Sequence, residues 1–149
     1  MKNILFIALC MSCLCSCSQS HDIAGEYEKL SKSGSVQYLL TLDPDGTFQF
    51  DSYTIRQMDG NNLRIKGSST AEPSMSGRGT WSAENGVIYF KTNSDTDIDY
   101  NNTLDLDDTK AKFKYEPSKD SSNKKANAKL EFLESGIFWI NGIELEKRD

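Results

Sequence analysis

The chain has 149 residues, 37% hydrophobic and 26% charged, with 17 basic and 22 acidic side chains. Its four cysteines all lie between Cys10 and Cys17, and its single histidine is His21. The remainder therefore cannot form a disulfide framework, a cysteine zinc site, a Cys/His dyad or a Ser-His-Asp triad. An acidic balance without a basic stripe offers nothing to displace counterions from phosphate, which argues against nucleic acid as a partner.

Lys2 precedes an apolar run from Ile4 to Cys15 that only Ser12 interrupts. Twelve residues of helix rise about 18 Å, short of the ~30 Å hydrocarbon core. The pattern predicts a secretory signal rather than a transmembrane span. Leu14-Cys15-Ser16-Cys17 resembles the bacterial lipoprotein lipobox, with Leu at −3 and a small residue at −1. Cys10, Cys13 and Cys15 match it less well. The resemblance implies a lipoprotein signal peptide over 1–16 and a lipidated tether over 17–22, followed by one domain over 23–149. Cys17 would carry a thioether-linked diacylglycerol and an acylated amine, palmitate being the expected class of chain. Each buried CH₂ contributes about 0.8 kcal/mol, so several chains anchor stably. The expected location is the cell envelope, at the outer membrane. A plain signal peptide with incidental cysteines, or a Cys-rich metal tract, is the alternative.

Beyond Asp22, period-two alternation recurs between Asp-Gly, Asn-Gly and Ser-Gly turns, and no stretch keeps a helical apolar stripe. Strands are predicted near 24–30 and 62–68, the latter joined to Tyr53–Met58 through Asp59-Gly60-Asn61-Asn62. In Leu42-Asp43-Pro44-Asp45-Gly46-Thr47, Pro44 suits the second position of a type I turn and Gly46 a G1 bulge. That loop sets Leu42 opposite Phe48, Leu40 opposite Phe50 and Tyr38 opposite Ser52. Thr41/Gln49 and Leu39/Asp51 share the other face, and a one-residue slip would mix the two. Glu84-Asn85-Gly86-Val87 predicts a type I′ hairpin pairing Trp81 with Phe90 and Ala83 with Ile88.

The acidic run from Asp95 to Asp108 holds six Asp in fourteen residues. A turn at Asp108-Thr109 would set Asp107 against Lys110, Asp105 against Lys112, Leu106 against Ala111 and Leu104 against Phe113, with opposite charges selecting the register. Pro117 to Ala126 reads as a polar loop. A further hairpin at Glu134-Ser135-Gly136 matches Phe132 with Phe138 and Leu130 with Ile140. Asn141-Gly142 turns again, matching Ile140 with Ile143 and Phe138 with Leu145. The fold class that follows is all-β: an antiparallel up-and-down barrel of roughly eight to ten short strands.

Gly25-Glu26-Tyr27, Leu40 to Phe48, Gly79-Thr80-Trp81 and Asn85 to Phe90 together resemble the bacterial lipocalin-like lipoproteins. Those proteins commonly read G-x-Y, L-x-L-x-x-D-G-x-F and then G-x-W followed by a turn and a strand. The likeness spans about residues 23–91 and implies a barrel whose interior can hold a ligand. Copper-stress lipoproteins with related barrels carry Cys-x-x-Cys after the first strand. Leu30 to Gly34 has no cysteine, so thiol-based metal sensing is not implied.

Tyr27, Tyr38, Phe48, Phe50, Trp81 and Phe90 are the candidates for lining a cavity that takes a small apolar ligand. The alternative is that they fill a solid barrel. Asp95, Asp97 and Asp99 occupy the first three ligand positions of a calcium loop. Tyr100 and Leu106 then stand where Gly and Glu are required, so a solvated acidic strand face is the simpler reading. Gly77-Arg78-Gly79 is too short for a phosphate loop and reads as strand entry. His21 sits on the tether, where a base could not be held rigidly, and no two acids stand apart as a catalytic pair. The expected protein is not an enzyme and uses no cofactor or metal. It is a membrane-anchored lipoprotein whose barrel binds a small apolar molecule or serves as an accessory module. The alternative is a solid-packed structural or protein-interaction subunit docking an envelope partner, with outward Leu39, Leu133, Ile137 and Trp139 as contacts.

Overall fold

The computed structural model describes residues 22–55, 73–93, 103–116 and 127–148. Cys17, His21, the predicted strand at 62–68, Asp95 to Asp99 and the loop from Pro117 to Ala126 lie outside the described residues.

The strands are β1 (Gly25–Leu30), β2 (Val36–Leu42), β3 (Thr47–Thr54), β4 (Met75–Glu84), β5 (Val87–Thr92), β6 (Lys110–Glu116), β7 (Asn127–Glu134) and β8 (Glu144–Lys147). Each pairs antiparallel with the next, and β8 returns to β1, closing an eight-stranded up-and-down barrel. Closure leaves no edge strand to pair with another chain.

The β2–β3 and β4–β5 hairpins have the predicted register. Leu42 faces Phe48, Leu40 faces Phe50 and Tyr38 faces Ser52. Gly46 adopts φ 88°, and the Gly46 N–H donates to the Asp43 carbonyl at 3.0 Å. Asp45 accepts from the Thr47 N–H at 2.9 Å and from its hydroxyl at 2.7 Å, which holds the carboxyl below its ordinary range. Trp81 pairs with Phe90 and Ala83 with Ile88. Asn85 and Gly86, at φ 53° and 77°, supply the left-handed residues a type I′ turn needs.

Gly77 and Gly79 lie within β4, not at its start, and they face Phe50 and Phe48 across the sheet. Both make room for backbone. A Cβ on Gly77 would come within 2.5 Å of the Leu104 carbonyl, and one on Gly79 would collide with the Lys91 carbonyl.

The second half departs from expectation in two places. The chain does turn at Asp107-Asp108, with Asp108 at φ 57° and the Thr109 N–H donating to the Leu106 carbonyl. No hairpin follows, because β6 is already paired with β5 on one side and β7 on the other. Residues 103–107 instead wedge into the loop end of the β4–β5 wall. Thr103 bridges Ser76 in parallel, and the Leu104 N–H donates to the Ser76 carbonyl. Asp107 accepts from the Thr92 N–H at 2.7 Å, while the Leu106 N–H donates to the Thr92 hydroxyl at 2.8 Å. Leu104 and Leu106 are buried in the core, as their spacing implied, but not as cross-strand partners of Phe113 and Ala111.

Residues 135–143 likewise form no strand. Leu130 pairs with Leu145 and Glu131 with Glu144, so Phe132/Phe138 and Leu130/Ile140 are not partners. The Ile140 N–H donates to Ile137 and the Ile143 N–H to Ile140, coiling the segment over the mouth. Ile137, Phe138, Trp139 and Ile140 are apolar without a break. As a strand, alternate members would face water; as a coil, Ile140 is wholly buried and Ile137 and Trp139 pack on the core. Burial of apolar surface favours the coil, and backbone hydrogen bonds within the turns and to Phe132 take the place of ladder bonds.

The outer wall of β6, β7, β8 and β1 is knit by charge. Lys110 bonds Glu134 at 2.8 Å, Lys114 bonds Glu131 and reaches Glu144, and Arg148 bonds Glu26 at 2.9 Å and approaches Glu28. Two acidic cross-strand pairs, Glu131/Glu144 and Glu28/Glu146, are thereby offset by Lys114 and by Arg148 with Lys129.

Candidate functional site

Antiparallel connectivity gives the barrel two distinct ends. The β1–β2, β3–β4, β5–β6 and β7–β8 connections share the loop end. The chain enters at the other, N-terminal end, beside the β2–β3 and β4–β5 turns.

The six aromatic candidates all point inward. Tyr27, Phe48, Phe50, Trp81 and Phe90 are buried, and Tyr38 is half-buried near the loop end. Tyr38, Phe48, Phe50 and Phe90 join Trp139 and Phe132 in a continuous string of rings. Trp139 stacks on Tyr38 at 5.6 Å, and Tyr38 lies against Phe50 at 6.3 Å. Phe50 and Phe90 each approach Phe132 at 5.8 Å, and Phe48 meets Phe90 edge-on at 5.2 Å. Phe50 and Phe132 come from β3 and β7 and touch across the barrel, filling its middle. Phe132 is the junction of the string. Its inward position was legible from alternation, but its role as a hub depends on which strands oppose one another across the closed sheet.

At the N-terminal end, Ile23 seals the core and the Tyr27 hydroxyl donates to the Ile23 carbonyl at 2.5 Å. Burial raises the Tyr27 phenol well above its ordinary value. Lys147 lies over the Tyr27 ring and donates to the Asp22 carbonyl at 2.6 Å. Partial desolvation holds its ammonium below the usual lysine range. Gly25 permits this contact, since a Cβ there would come within 2.7 Å of the Lys147 stem. Trp81 donates its indole N–H to the Asp43 carbonyl at 3.0 Å, tying the first turn to β4.

Asp51 lies opposite Leu39 on the outer face, as the register predicted, but its burial there was not expected. It points outward from β3 yet is only 3% exposed. Gln49 donates to it at 2.6 Å, Ser76 at 2.5 Å and Tyr53 at 3.4 Å, so three neutral donors satisfy the carboxylate. Among the described residues it is the one buried carboxylate, and no group of three or more His, Cys, Asp or Glu is placed to hold a metal.

The outward apolar residues divide. Leu133 is 48% exposed and Leu39 is half-buried, whereas Ile137 and Trp139 turn onto the core. Phe138, expected inside, is 84% exposed. No helix among the described residues is long and apolar enough to cross a membrane. Comparison with protein-family models, curated proteins and solved structures finds no match.

Proposed function

We propose that this protein is a lipid-anchored cell-envelope subunit, attached through Cys17, whose solid barrel acts as a rigid platform for protein interaction. The observation that carries the reading is the Phe50–Phe132–Phe90 contact, in which rings from β3, β5 and β7 meet at the middle of the barrel. A ligand-holding barrel needs a cavity of some 300 Å³ or more at that position. A barrel of this strand number is just wide enough for side chains to fill.

One observation favours the ligand-binding alternative. Tyr38 and Trp139 stack half-buried at the loop end, where displacement of Trp139 would open a slot above Phe50. Titration with an apolar fluorescent probe, 1-anilinonaphthalene-8-sulfonate, separates the readings. A solid barrel gives no saturable binding. Saturable binding that Tyr38→Ala or Trp139→Ala removes would replace the platform reading by a ligand carrier. The anchor is tested separately by the mass and membrane partitioning of Cys17→Ser. The variant should lose both the lipid mass and the partitioning, and retention of both would reject Cys17 as the attachment site.

A further inference from the structure

We infer that the loop end of the barrel is a protein-docking surface with Phe138 as its anchor, and that its partner presents an apolar pocket edged by basic side chains. The inference deepens the platform reading and rests on it.

Phe138 is the most exposed large apolar side chain among the described residues, and the backbone around it is held on both sides. The Ile137 N–H donates to the Ser135 hydroxyl at 3.1 Å, and Asn141 donates to the Ser135 carbonyl at 3.4 Å. The Gly142 N–H donates to the Phe132 carbonyl at 2.8 Å, and Ile140 is fixed in the core. Its chain neighbours Ile137 and Trp139 pack inward, so Phe138 alone is turned to water. An aromatic side chain offered by a turn that is already ordered loses little further entropy on binding, which is the arrangement of an interface hot spot.

The charge beside it selects the partner. The Ser135 hydroxyl bonds the Thr109 hydroxyl at 2.8 Å, joining the Phe138 segment to the turn that carries exposed Asp105, Asp107 and Asp108. Glu134 adds a fourth carboxylate, paired with Lys110. Such a rim repels the anionic surface of a bilayer and favours a basic protein surface. Insertion of a single Phe side chain is too little to hold the loop end in lipid. Asp22 leaves the barrel at the opposite end, so an anchor at Cys17 holds that end nearest the membrane and leaves Phe138 facing away.

The test places photoreactive benzoylphenylalanine at position 138 of the full chain in its own cells. Positions 133, on the outer wall, and 115, at the N-terminal end, serve as controls. Position 138 should give one discrete adduct with a different protein, mapped to a peptide containing Lys or Arg beside apolar residues. The adduct should fall severalfold in an Asp105→Asn/Asp107→Asn/Asp108→Asn background and at raised salt. Phe138→Ala should weaken binding of the mapped partner by about thirtyfold, as expected for a hot-spot aromatic. An adduct with phospholipid or with a second copy of the chain would overturn the inference, as would one indifferent to the three Asn changes. Adducts from 133 or 115 but not 138 would reject this surface while preserving the platform reading. No adduct from any position would reject both.

Discussion

The two halves of the barrel reach the same architecture by different physics. Between β1 and β5, the β2–β3 and β4–β5 hairpins have turns that dictate their own register. Pro44 and Gly46 seat one loop, and Asn85 and Gly86 seat the other. From β6 to β8 the strands are shorter or irregularly joined, and two non-strand segments, 103–109 and 135–143, close the loop end. In the first half local turn chemistry decides the pairing. In the second, burial decides, and apolar residues that would suit a strand are drawn instead into the mouth.

The largest test of this contrast is at the point where both halves meet. Phe132→Ala removes the ring that Phe50 and Phe90 share and should cost about 3–5 kcal/mol in urea unfolding. A loss under about 1 kcal/mol would mean that the middle of the barrel is not filled by that ring. Next comes a paired measurement on the coil. Ile140→Ala should cost about 2–5 kcal/mol because Ile140 is wholly buried, while Phe138→Ala should stay within about 0.5 kcal/mol. A hairpin pairing Phe132 with Phe138 and Leu130 with Ile140 would bury both side chains, so a Phe138→Ala loss as large as that of Ile140→Ala would contradict the coil.

Smaller effects probe the hairpin half. Gly86→Ala forces a Cβ onto φ 77° with no steric neighbour within 4 Å, so its expected cost of about 1–2 kcal/mol is conformational alone. Register should be preserved in the variant's amide spectrum. At alkaline pH the buried Tyr27 phenol has a folded-state pKa above its ordinary value near 10. The folded state therefore binds more protons than the unfolded state in that window, and stability falls as pH rises past the unfolded value. Lys147, lowered by desolvation, acts in the opposite sense, because its burial cost disappears as it loses its proton. Tyr27→Phe should flatten the alkaline decline even though the Ile23 bond is lost. An unchanged slope in the variant would assign the decline to other groups.

How much of this was legible in the sequence follows the same division. The closed all-β barrel, the inward set from Tyr27 to Phe90 and two hairpin registers could be read because turn residues and alternation agree there. Leu104, Leu106 and Ile140 were recognisable as core, but not their partners. Their neighbours carry no turn geometry that excludes a hairpin, and only the occupied flanks of β6 and the need to cover the mouth do so. The burial of outward Asp51 had too little signal in a single strand: Gln49 and Tyr53 flank it on the same face of β3, but Ser76 reaches it only once β4 is paired. Phe138 was misplaced for a related reason. Alternation puts it in phase with Phe132, and the turn at Ile137–Ile140 breaks that phase.

The most direct test of the central claim, a barrel filled by its own rings, is a nuclear Overhauser measurement on the full chain purified from its own cells. The account predicts direct ring-to-ring contacts from Phe132 to both Phe50 and Phe90. Absence of those contacts, with the same rings contacting protons of a bound molecule instead, would contradict it.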